Sequence, residues 1–261
     1  MTESQYFNLC KDVASEIKKA VSDMIGKPES GIILRIGADG TPTEKIDDVA
    51  ENAALSVLEE DGRSIRFVSE EKGEKIIGGK PEFTFVLDPI DGTFNAVNNI
   101  PFFCVPIAIG NSNLSDIRYG FVKNLVNGDI YSAEKGKGAF LNNRKIHVSS
   151  LSEFSKLSVL SYTHRPHALP VSNHNVRRVR VYGCAGLELC YVASGIFDAF
   201  IDMRGMLRIT DIAASKLIVE EAGGKITDGK GEPLYTPLNV KERLNLIASN
   251  GIAHDKLLEL F

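Results

Sequence analysis

A short apolar run that ends in two carboxylates constrains the fold more than any other segment of the chain. Phe83–Leu87 (FTFVL) has the aromatic and β-branched composition of a strand, and Asp88 follows it directly. Pro89 cannot donate to a sheet ladder, so the strand is expected to end there. Asp91 and Thr93 then lie on the turn DPIDGT. We therefore expect carboxylates and a hydroxyl at the carboxyl end of a strand, where α/β proteins bind ligands.

Other acidic segments bear on whether this turn is part of a metal site. Glu70 stands at the end of the strand-like run in FVSEE, and Asp211 opens the helical pattern TDIAA. Asp47 and Glu51 lie one helical turn apart after TPT. Magnesium is held by carboxylates, waters and substrate phosphate oxygens. Each segment also has an ordinary structural interpretation: DPIDG as a turn, Asp211 as a helix cap and the glutamates as surface residues. The residues alone leave both interpretations open.

Composition excludes several classes of protein. The 261 residues are 43% hydrophobic and 25% charged, as in an ordinary folded protein. A formal charge of −4 argues against a nucleic-acid or anionic-membrane partner. The longest apolar run, residues 100–109, is about half the length needed to cross a bilayer. We predict no membrane segment.

The cysteines and the first residues indicate a reducing compartment. The cysteines occur without a CxxC pair, which is typical of reduced, buried thiols: Cys10, Cys104, Cys184 and Cys190. The start, MTESQYFNLCKD, lacks the basic and apolar regions of a secretory signal. We predict a cytoplasmic protein.

Hydrophobic periodicity predicts a layered α/β (α+β) fold. Helices are expected at residues 6–24 and 47–60, followed by strands at 65–69, 83–87, 104–109, 117–123 and 129–133. The second half alternates strands at 157–162, 178–182 and 199–202 with helices at 185–194 and 212–222. We place a boundary near residue 150. Residues 1–150 then form an α+β half with most of the metal ligands, and residues 151–261 form an α/β half with substrate contacts and Asp211.

Taken together, GTPTEKID, SEE, DPIDGT, TDIAA and VEEAGG resemble the inositol monophosphatase superfamily. More narrowly, they resemble its archaeal branch, which accepts both inositol phosphates and fructose 1,6-bisphosphate. The resemblance runs from Asp39 to Gly224 and implies the α-β-α-β-α sandwich of the sugar phosphatases. One departure is the segment RITD, which stands where many members have a tryptophan before the aspartate.

The resemblance implies two or three Mg²⁺ ions per subunit, with Mn²⁺ able to replace them. Glu70, Asp88, Asp91 and the Ile90 carbonyl would hold the first ion. Asp88, Asp91 and Asp211 would hold the second. Metal chemistry suits the reaction, because a phosphate monoester repels an anionic nucleophile until its charge is neutralised.

The catalytic residues implied by the resemblance are Asp47, Thr93 and Glu70. Thr93 would orient the attacking water, and Asp47 would accept its proton through the hydroxyl. Alternatively, a threonine on a tight turn only bonds to the backbone. The expected activity is Mg²⁺-dependent hydrolysis of inositol 1-phosphate, fructose 1,6-bisphosphate or both.

Substrate contacts follow from the same resemblance. Gly92 and Thr93 would offer backbone N–H groups to the phosphate, and Asp202 would accept a hydroxyl of the sugar or inositol. Arg165 is the candidate for a second phosphate, because a guanidinium binds phosphate in a fork; alternatively it is surface charge or a subunit contact. The full expected set is Asp91, Gly92, Thr93, Arg165, Ala185, Asp202 and Asp211.

Other segments of the chain have more than one interpretation. The loop at residues 39–43 resembles a mobile catalytic lid, and its alternative is a polar connector. The histidines at 164, 167 and 174 lack the acidic base of a zinc site. GEKIIGGK lacks the ending of a phosphate loop, because Pro81 follows Lys80. The functional alternatives are a 3′(2′),5′-bisphosphate nucleotidase or a non-catalytic partner protein with the same fold. A homodimer is expected, because members are mostly dimeric and residues 100–109 need cover.

Overall fold

Helices and sheets alternate in layers in the computed structural model, which describes residues 3–162 and 176–261. Helices α1 (Glu3–Val21) and α2 (Lys45–Asp61) form the first layer. Helices α4 (Ala185–Ala193) and α5 (Ile209–Glu221) lie between two sheets, and α6 (His254–Leu258) packs outside the second sheet. The short α3 (Thr93–Val97) follows the DPIDG turn. The predicted α-β-α-β-α sandwich is confirmed.

A two-stranded hairpin precedes α2 and was not predicted. Strand β1 (Ile33–Ile36) pairs antiparallel with β2 (Pro42–Glu44). The predicted connector at residues 39–43 therefore includes the start of a strand. Its movement as a lid stays a prediction.

The first sheet has eight strands in the order β10-β9-β8-β7-β6-β5-β3-β4. Their bounds are β3 (Ile65–Ser69), β4 (Gly73–Ile77), β5 (Phe83–Leu87), β6 (Cys104–Gly110), β7 (Tyr119–Asn124), β8 (Ile130–Glu134), β9 (Gly138–Leu141) and β10 (Arg144–Ile146). Strands β3 and β5 run parallel, with Ser69 opposite Leu87. The residues that follow these two strands, Glu70 and Asp88, therefore emerge at the same edge of the sheet.

The second sheet has five strands in the order β12-β11-β13-β15-β14. Their bounds are β11 (Ser158–Tyr162), β12 (Arg178–Arg180), β13 (Ala199–Leu207), β14 (Lys225–Thr227) and β15 (Leu244–Ser249). The predicted strand at 199–202 continues five residues further, to Leu207. That extension brings the chain directly to the first turn of α5.

Strand β6 divides the hydrophobic core between the two faces of the first sheet. Val105 and Ile107 pack with α1 and α2, whereas Cys104 and Ala108 pack with α4 and α5. All seven residues of this strand are buried. The run at 100–109 is therefore largely covered within the chain, and the expectation that it needs a second subunit is wrong, because it forms a central strand and not a surface.

The predicted boundary near residue 150 falls between β10 and β11, so the two sheets come from opposite sides of it. One core cluster nevertheless contains residues from both sides, such as Val122 and Phe200. The division into two halves stays a prediction. Among residues 3–162 and 176–261, no helix is long and apolar enough to span a membrane.

Candidate active site

Carboxylates from two strands and one helix meet at the edge of the first sheet. Glu70 follows β3, Asp88 follows β5, and Asp211 lies in the first turn of α5. All three are buried, and each offers an oxygen within 4.8 Å of the others. The parallel pairing of β3 with β5 therefore brings together residues that the sequence separates.

These residues fit a divalent cation of the magnesium type. Asp88 Oδ2 is buried without a hydrogen-bond partner among the described residues, although its Oδ1 accepts the Ile90 N–H at 2.9 Å. A buried carboxylate oxygen without a donor is costly unless a cation faces it. Hard oxygen donors are the ligands that Mg²⁺ and Mn²⁺ prefer. The carboxylates could therefore hold a metal ion.

Burial disfavours the charged form of these acids. It raises the pKa of Asp88 well above its usual value, and the nearby charge of Glu70 adds to the effect. Burial likewise raises the pKa of Glu70, against the lowering effect of Arg208. A cation bound among them would restore their ionised forms.

Asp91 is held from behind by the start of α4. Its Oδ2 accepts the Gly186 N–H at 2.5 Å, and the Cys184 thiol lies 3.3 Å away. A Cβ on Gly186 would lie 2.9 Å from that oxygen, so this position has little room for a side chain. Burial, followed by the charge of Asp211, raises the pKa of Asp91 to about 7. The Asp91 carboxylate is thus fixed in place by backbone packing.

Thr93 connects the carboxylate turn to α2. Its Oγ1 lies 3.0 Å from Asp47 Oδ1 and 3.0 Å from the Ile90 carbonyl oxygen. A hydroxyl has one proton and donates to one of these acceptors at a time. Burial, with the charge of Glu71, raises the pKa of Asp47 well above its usual value. Asp47 and Thr93 are therefore arranged as a proton acceptor and a hydroxyl in contact.

Arg208 is the positive charge at the centre of the site, a role not predicted from the sequence. Its Nε lies 3.0 Å from Asp211 Oδ1, and its Nη1 contacts Glu70 and, at 3.3 Å, Asp39 Oδ2. Its Nη2 lies 3.9 Å from Asp88 Oδ2. Burial alone would lower the pKa of Arg208, but the surrounding carboxylates raise it. The spacing of three residues to Asp211 at a helix start could have indicated this pair.

Asp39 anchors the β1–β2 connection over the carboxylates. Its N–H donates to the Glu70 carbonyl at 3.3 Å, and its carboxylate is paired with both Arg208 and Arg243. Arg243 also donates to the Asp39 carbonyl at 2.9 Å. No local pattern could have revealed this contact, because the two residues are 204 positions apart.

A cavity of about 300 Å³ opens beside the carboxylates. Its lining combines the predicted residues Asp91, Ala185 and Asp211 with arginines that were not predicted. The described lining is Thr41, Asp91, Tyr162, Gly183, Ala185, Arg204, Met206, Leu207, Arg208, Asp211 and Arg243. Its size and its mixture of acidic and basic groups suit a small anionic ligand with a cation.

Asp202 differs from its expected setting. It is fully buried, and Arg204 donates to it from Nε at 2.9 Å and from Nη2 at 2.6 Å. Arg204 also stacks over the Tyr162 ring at 4.3 Å and lines the cavity. Arg204 therefore stands between Asp202 and a ligand, and the role of Asp202 as a hydroxyl acceptor stays a prediction.

The remaining predicted residues are placed as follows. Gly92 adopts a left-handed conformation (φ 94°) at the start of α3, where its neighbours leave little space for a side chain. Glu51, which could be interpreted as a surface residue, is buried and accepts the Lys72 N–H at 3.1 Å. Arg165 and the histidines at 164, 167 and 174 lie outside the described residues. All four cysteines are free and buried, as predicted.

Comparison with known proteins identifies the family of this chain. A model of the inositol monophosphatase family matches residues 4–261. The chain belongs to the inositol monophosphatase family. The predicted resemblance is confirmed.

Three relatives illustrate the range within this family. The fructose-1,6-bisphosphatase/inositol-1-monophosphatase of Methanothermobacter thermautotrophicus is 44% identical over 260 residues, covering 95% of this chain and 93% of that protein. The bifunctional NADP phosphatase/NAD kinase of Methanococcus maripaludis is 39% identical, covering 96% of this chain but 48% of that longer protein. The crystal structure of an inositol monophosphatase–fructose 1,6-bisphosphatase superposes with a TM-score of 0.89 at 36% identity and covers 100% of both chains.

Proposed function

We propose that this protein is a Mg²⁺-dependent phosphatase that hydrolyses inositol 1-phosphate, fructose 1,6-bisphosphate or both. The observation that carries the proposal is the buried meeting of Glu70, Asp88 and Asp211 within 4.8 Å, beside the Asp47–Thr93 pair. The single charge of Arg208 does not balance these carboxylates, which leaves room for a further cation. A phosphate monoester needs charge neutralisation before water can attack it.

Each residue of the site would have a separate role in hydrolysis. The bound Mg²⁺ supplies charge neutralisation and lowers the pKa of a water molecule. Thr93 Oγ1 would orient the attacking water and accept its proton, while the hydroxyl donates its own proton to Asp47 Oδ1, 3.0 Å away. The N–H groups of Gly92 and Thr93 are proposed to bind the phosphate. Gly186 keeps the Asp91 carboxylate in place during the reaction.

The ligands assigned to the metal follow the same proposal. Glu70, Asp88, Asp91 and the Ile90 carbonyl would hold one ion, and Asp88, Asp91 and Asp211 another. We propose two or three Mg²⁺ ions per subunit, with Mn²⁺ able to replace them. The shared use of Asp88 is supported by its oxygen within 4.8 Å of both Glu70 and Asp211. The assignment of Asp91 is supported by the effect of the Asp211 charge on its pKa.

The cavity bears on the choice of substrate. Its volume of about 300 Å³ lies at the small end of ligand pockets, which favours a sugar or inositol phosphate over a dinucleotide. Arg204 and Arg243 line it in addition to Arg208, which favours a substrate with a second anionic group. NADP is the second candidate substrate, because the bifunctional relative carries that activity in its name.

A substrate panel tests this proposal. Phosphate release is measured with inositol 1-phosphate, fructose 1,6-bisphosphate, NADP and 3′-phosphoadenosine 5′-phosphate, each at saturating Mg²⁺. We expect the highest kcat/KM with one of the first two. A preference for either nucleotide would contradict the substrate assignment, and no release from any of the four would favour a non-catalytic partner protein.

We also propose a cytoplasmic homodimer. Large apolar side chains remain exposed on β1 and α3, such as Ile36 at 65% and Phe94 at 69%, and a second subunit could cover them. The four free thiols fit a reducing compartment. Sedimentation velocity at micromolar concentration should give a dimer of about 57 kDa, twice the chain mass of 28.5 kDa. A monomer throughout that range would contradict the proposal.

A further inference from the structure

The position of Arg208 is set by its backbone as well as by its side chain. It precedes the first residue of α5, and its N–H donates to Asp211 Oδ2 at 3.1 Å. Its Nε donates to the same carboxylate at 3.0 Å, so Asp211 holds both parts of the residue. The side chain is 22% exposed. The guanidinium is therefore held among the carboxylates and is not a mobile surface group.

The same guanidinium contacts the carboxylates that a divalent cation needs. It is ion-paired with Glu70 and Asp211, and it lies 3.9 Å from Asp88 Oδ2, the oxygen without a hydrogen-bond partner among the described residues. A planar guanidinium donates several N–H groups to carboxylate oxygens at once, and it keeps its charge at any physiological pH. A metal ion and this guanidinium are positive charges that use the same oxygens.

We propose that Arg208 is an internal counter-cation that competes with Mg²⁺ for Glu70, Asp88 and Asp211, and so sets the metal affinity of the site. It neutralises part of the buried negative charge, which stabilises the fold before metal binds. Each metal ion must displace or outweigh that charge, which makes the site weaker than its carboxylates alone would be. This proposal rests on the proposed function only in assigning Mg²⁺ to these carboxylates.

A purely structural role for Arg208 predicts the opposite result. If the guanidinium served only to cap α5 and orient Asp211, its removal would loosen a metal ligand and weaken Mg²⁺ binding. If it competes, its removal strengthens Mg²⁺ binding. The direction of the change in affinity therefore separates the two roles.

The test is a Mg²⁺ titration without substrate. Dissociation constants are measured for wild type, Arg208→Gln and Arg208→Lys by competition with a fluorescent chelator, starting from Mg²⁺-loaded protein so that every variant is folded. We expect Arg208→Gln to bind Mg²⁺ at least about tenfold more tightly, since a nearby opposite charge typically shifts such equilibria by one or more powers of ten. Arg208→Lys should lie between, because one ammonium reaches fewer carboxylates than a guanidinium.

Arg243→Gln is the matched control. Arg243 is also paired with Asp39 and also lines the cavity, but among the described residues its ion pairs do not include Glu70, Asp88 or Asp211. Its removal should leave the Mg²⁺ dissociation constant unchanged. An equal gain in affinity in both variants would show that loosening Asp39, and not the competing charge, is responsible, and would overturn the proposal.

Thermal unfolding supplies a second readout. In EDTA, Arg208→Gln should melt below wild type, because the buried carboxylates lose their counter-cation; with saturating Mg²⁺ the difference should shrink or reverse. If Arg208→Gln binds Mg²⁺ as tightly as wild type or more weakly, the proposal that Arg208 competes with Mg²⁺ is wrong. If wild type releases phosphate in a Mg²⁺-dependent way while Arg208→Gln gains no affinity, this inference alone fails. If no variant binds Mg²⁺, the proposed function fails with it.

Discussion

Asp88→Asn should affect phosphate release and stability in opposite directions. Asp88 is 1% exposed, its Oδ1 accepts the Ile90 N–H, and its Oδ2 has no partner among the described residues. Asparagine keeps the size of the side chain and the acceptor for Ile90. It replaces the other oxygen with an amide nitrogen, which cannot bind Mg²⁺. The substitution therefore removes one negative charge and one metal ligand with little change in packing.

The substitution is expected to lower activity and to raise stability without metal. Loss of a shared ligand should lower phosphate release by about 10³-fold or more, equivalent to about 4 kcal/mol in the barrier. Without metal, Asp88 faces Glu70 and Asp211 within 4.8 Å and Arg208 at 3.9 Å. With Asp88 ionised and an effective dielectric constant of 20, each repulsion costs at least about 3.5 kcal/mol and the attraction returns about 4 kcal/mol. The variant should therefore be more stable than wild type by about 3 kcal/mol in EDTA.

The sign of the pH dependence follows from the pKa of Asp88, which burial and Glu70 raise well above its usual value. The folded protein then holds a proton that the unfolded chain releases, so wild type loses stability as the pH rises through the folded pKa. Asparagine has no such loss. The stability advantage of the variant should therefore be larger at pH 8 than at pH 5.

The assays are phosphate release with Mg²⁺ and urea unfolding in EDTA at both pH values. Asp198→Asn is the matched control, because Asp198 is also buried but accepts the Ser158 N–H at 2.7 Å and lies outside the site. That variant should lose stability and keep its activity. Near-wild-type activity in Asp88→Asn would refute the metal assignment, and lower stability in EDTA would refute the electrostatic argument.

Three further changes test separate parts of the account. Thr93→Val should lower kcat by about 10²-fold or more with little change in the Mg²⁺ dissociation constant, since the hydroxyl acts on the water. A similar loss of kcat and of Mg²⁺ affinity would point to misfolding. Burial lowers the pKa of His254 from 6.5 to about 4, so wild type should lose about 3 kcal/mol more than His254→Gln between pH 7 and 4, and parallel curves in urea unfolding would contradict this. Gly120→Ala should destabilise by about 2 kcal/mol in the same assay, because its Cβ would lie 2.4 Å from the Ala214 carbonyl oxygen; wild-type stability would show that the strand and helix can separate freely.

Features that depend on neighbouring residues were predictable from the sequence. Strands Ile65–Ser69 and Phe83–Leu87 were predicted to the residue, because apolar runs bounded by turn and acidic residues mark strand ends. The acids that follow these strands were therefore found as well. Their closeness was not derivable from spacing, since it depends on the parallel register that sets Ser69 opposite Leu87.

Features that depend on distant parts of the chain were missed. Arg243 reaches Asp39 across 204 positions, and Arg208 reaches Glu70 across 138. Nothing in the periodicity around Arg243 distinguishes it from a surface charge, and the spacing of Arg208 could have indicated only its local pair with Asp211. Long-range ion pairs of this kind require the fold.

The most direct test of the central claim is the return of activity to metal-depleted protein. Wild type is treated with EDTA, freed of chelator, and assayed for phosphate release from inositol 1-phosphate and fructose 1,6-bisphosphate as Mg²⁺ is added back. We predict negligible release without Mg²⁺ and full recovery at millimolar concentrations, with no recovery in Asp88→Asn. Release that persists in EDTA, or that returns equally in the variant, would contradict a mechanism built on these carboxylates.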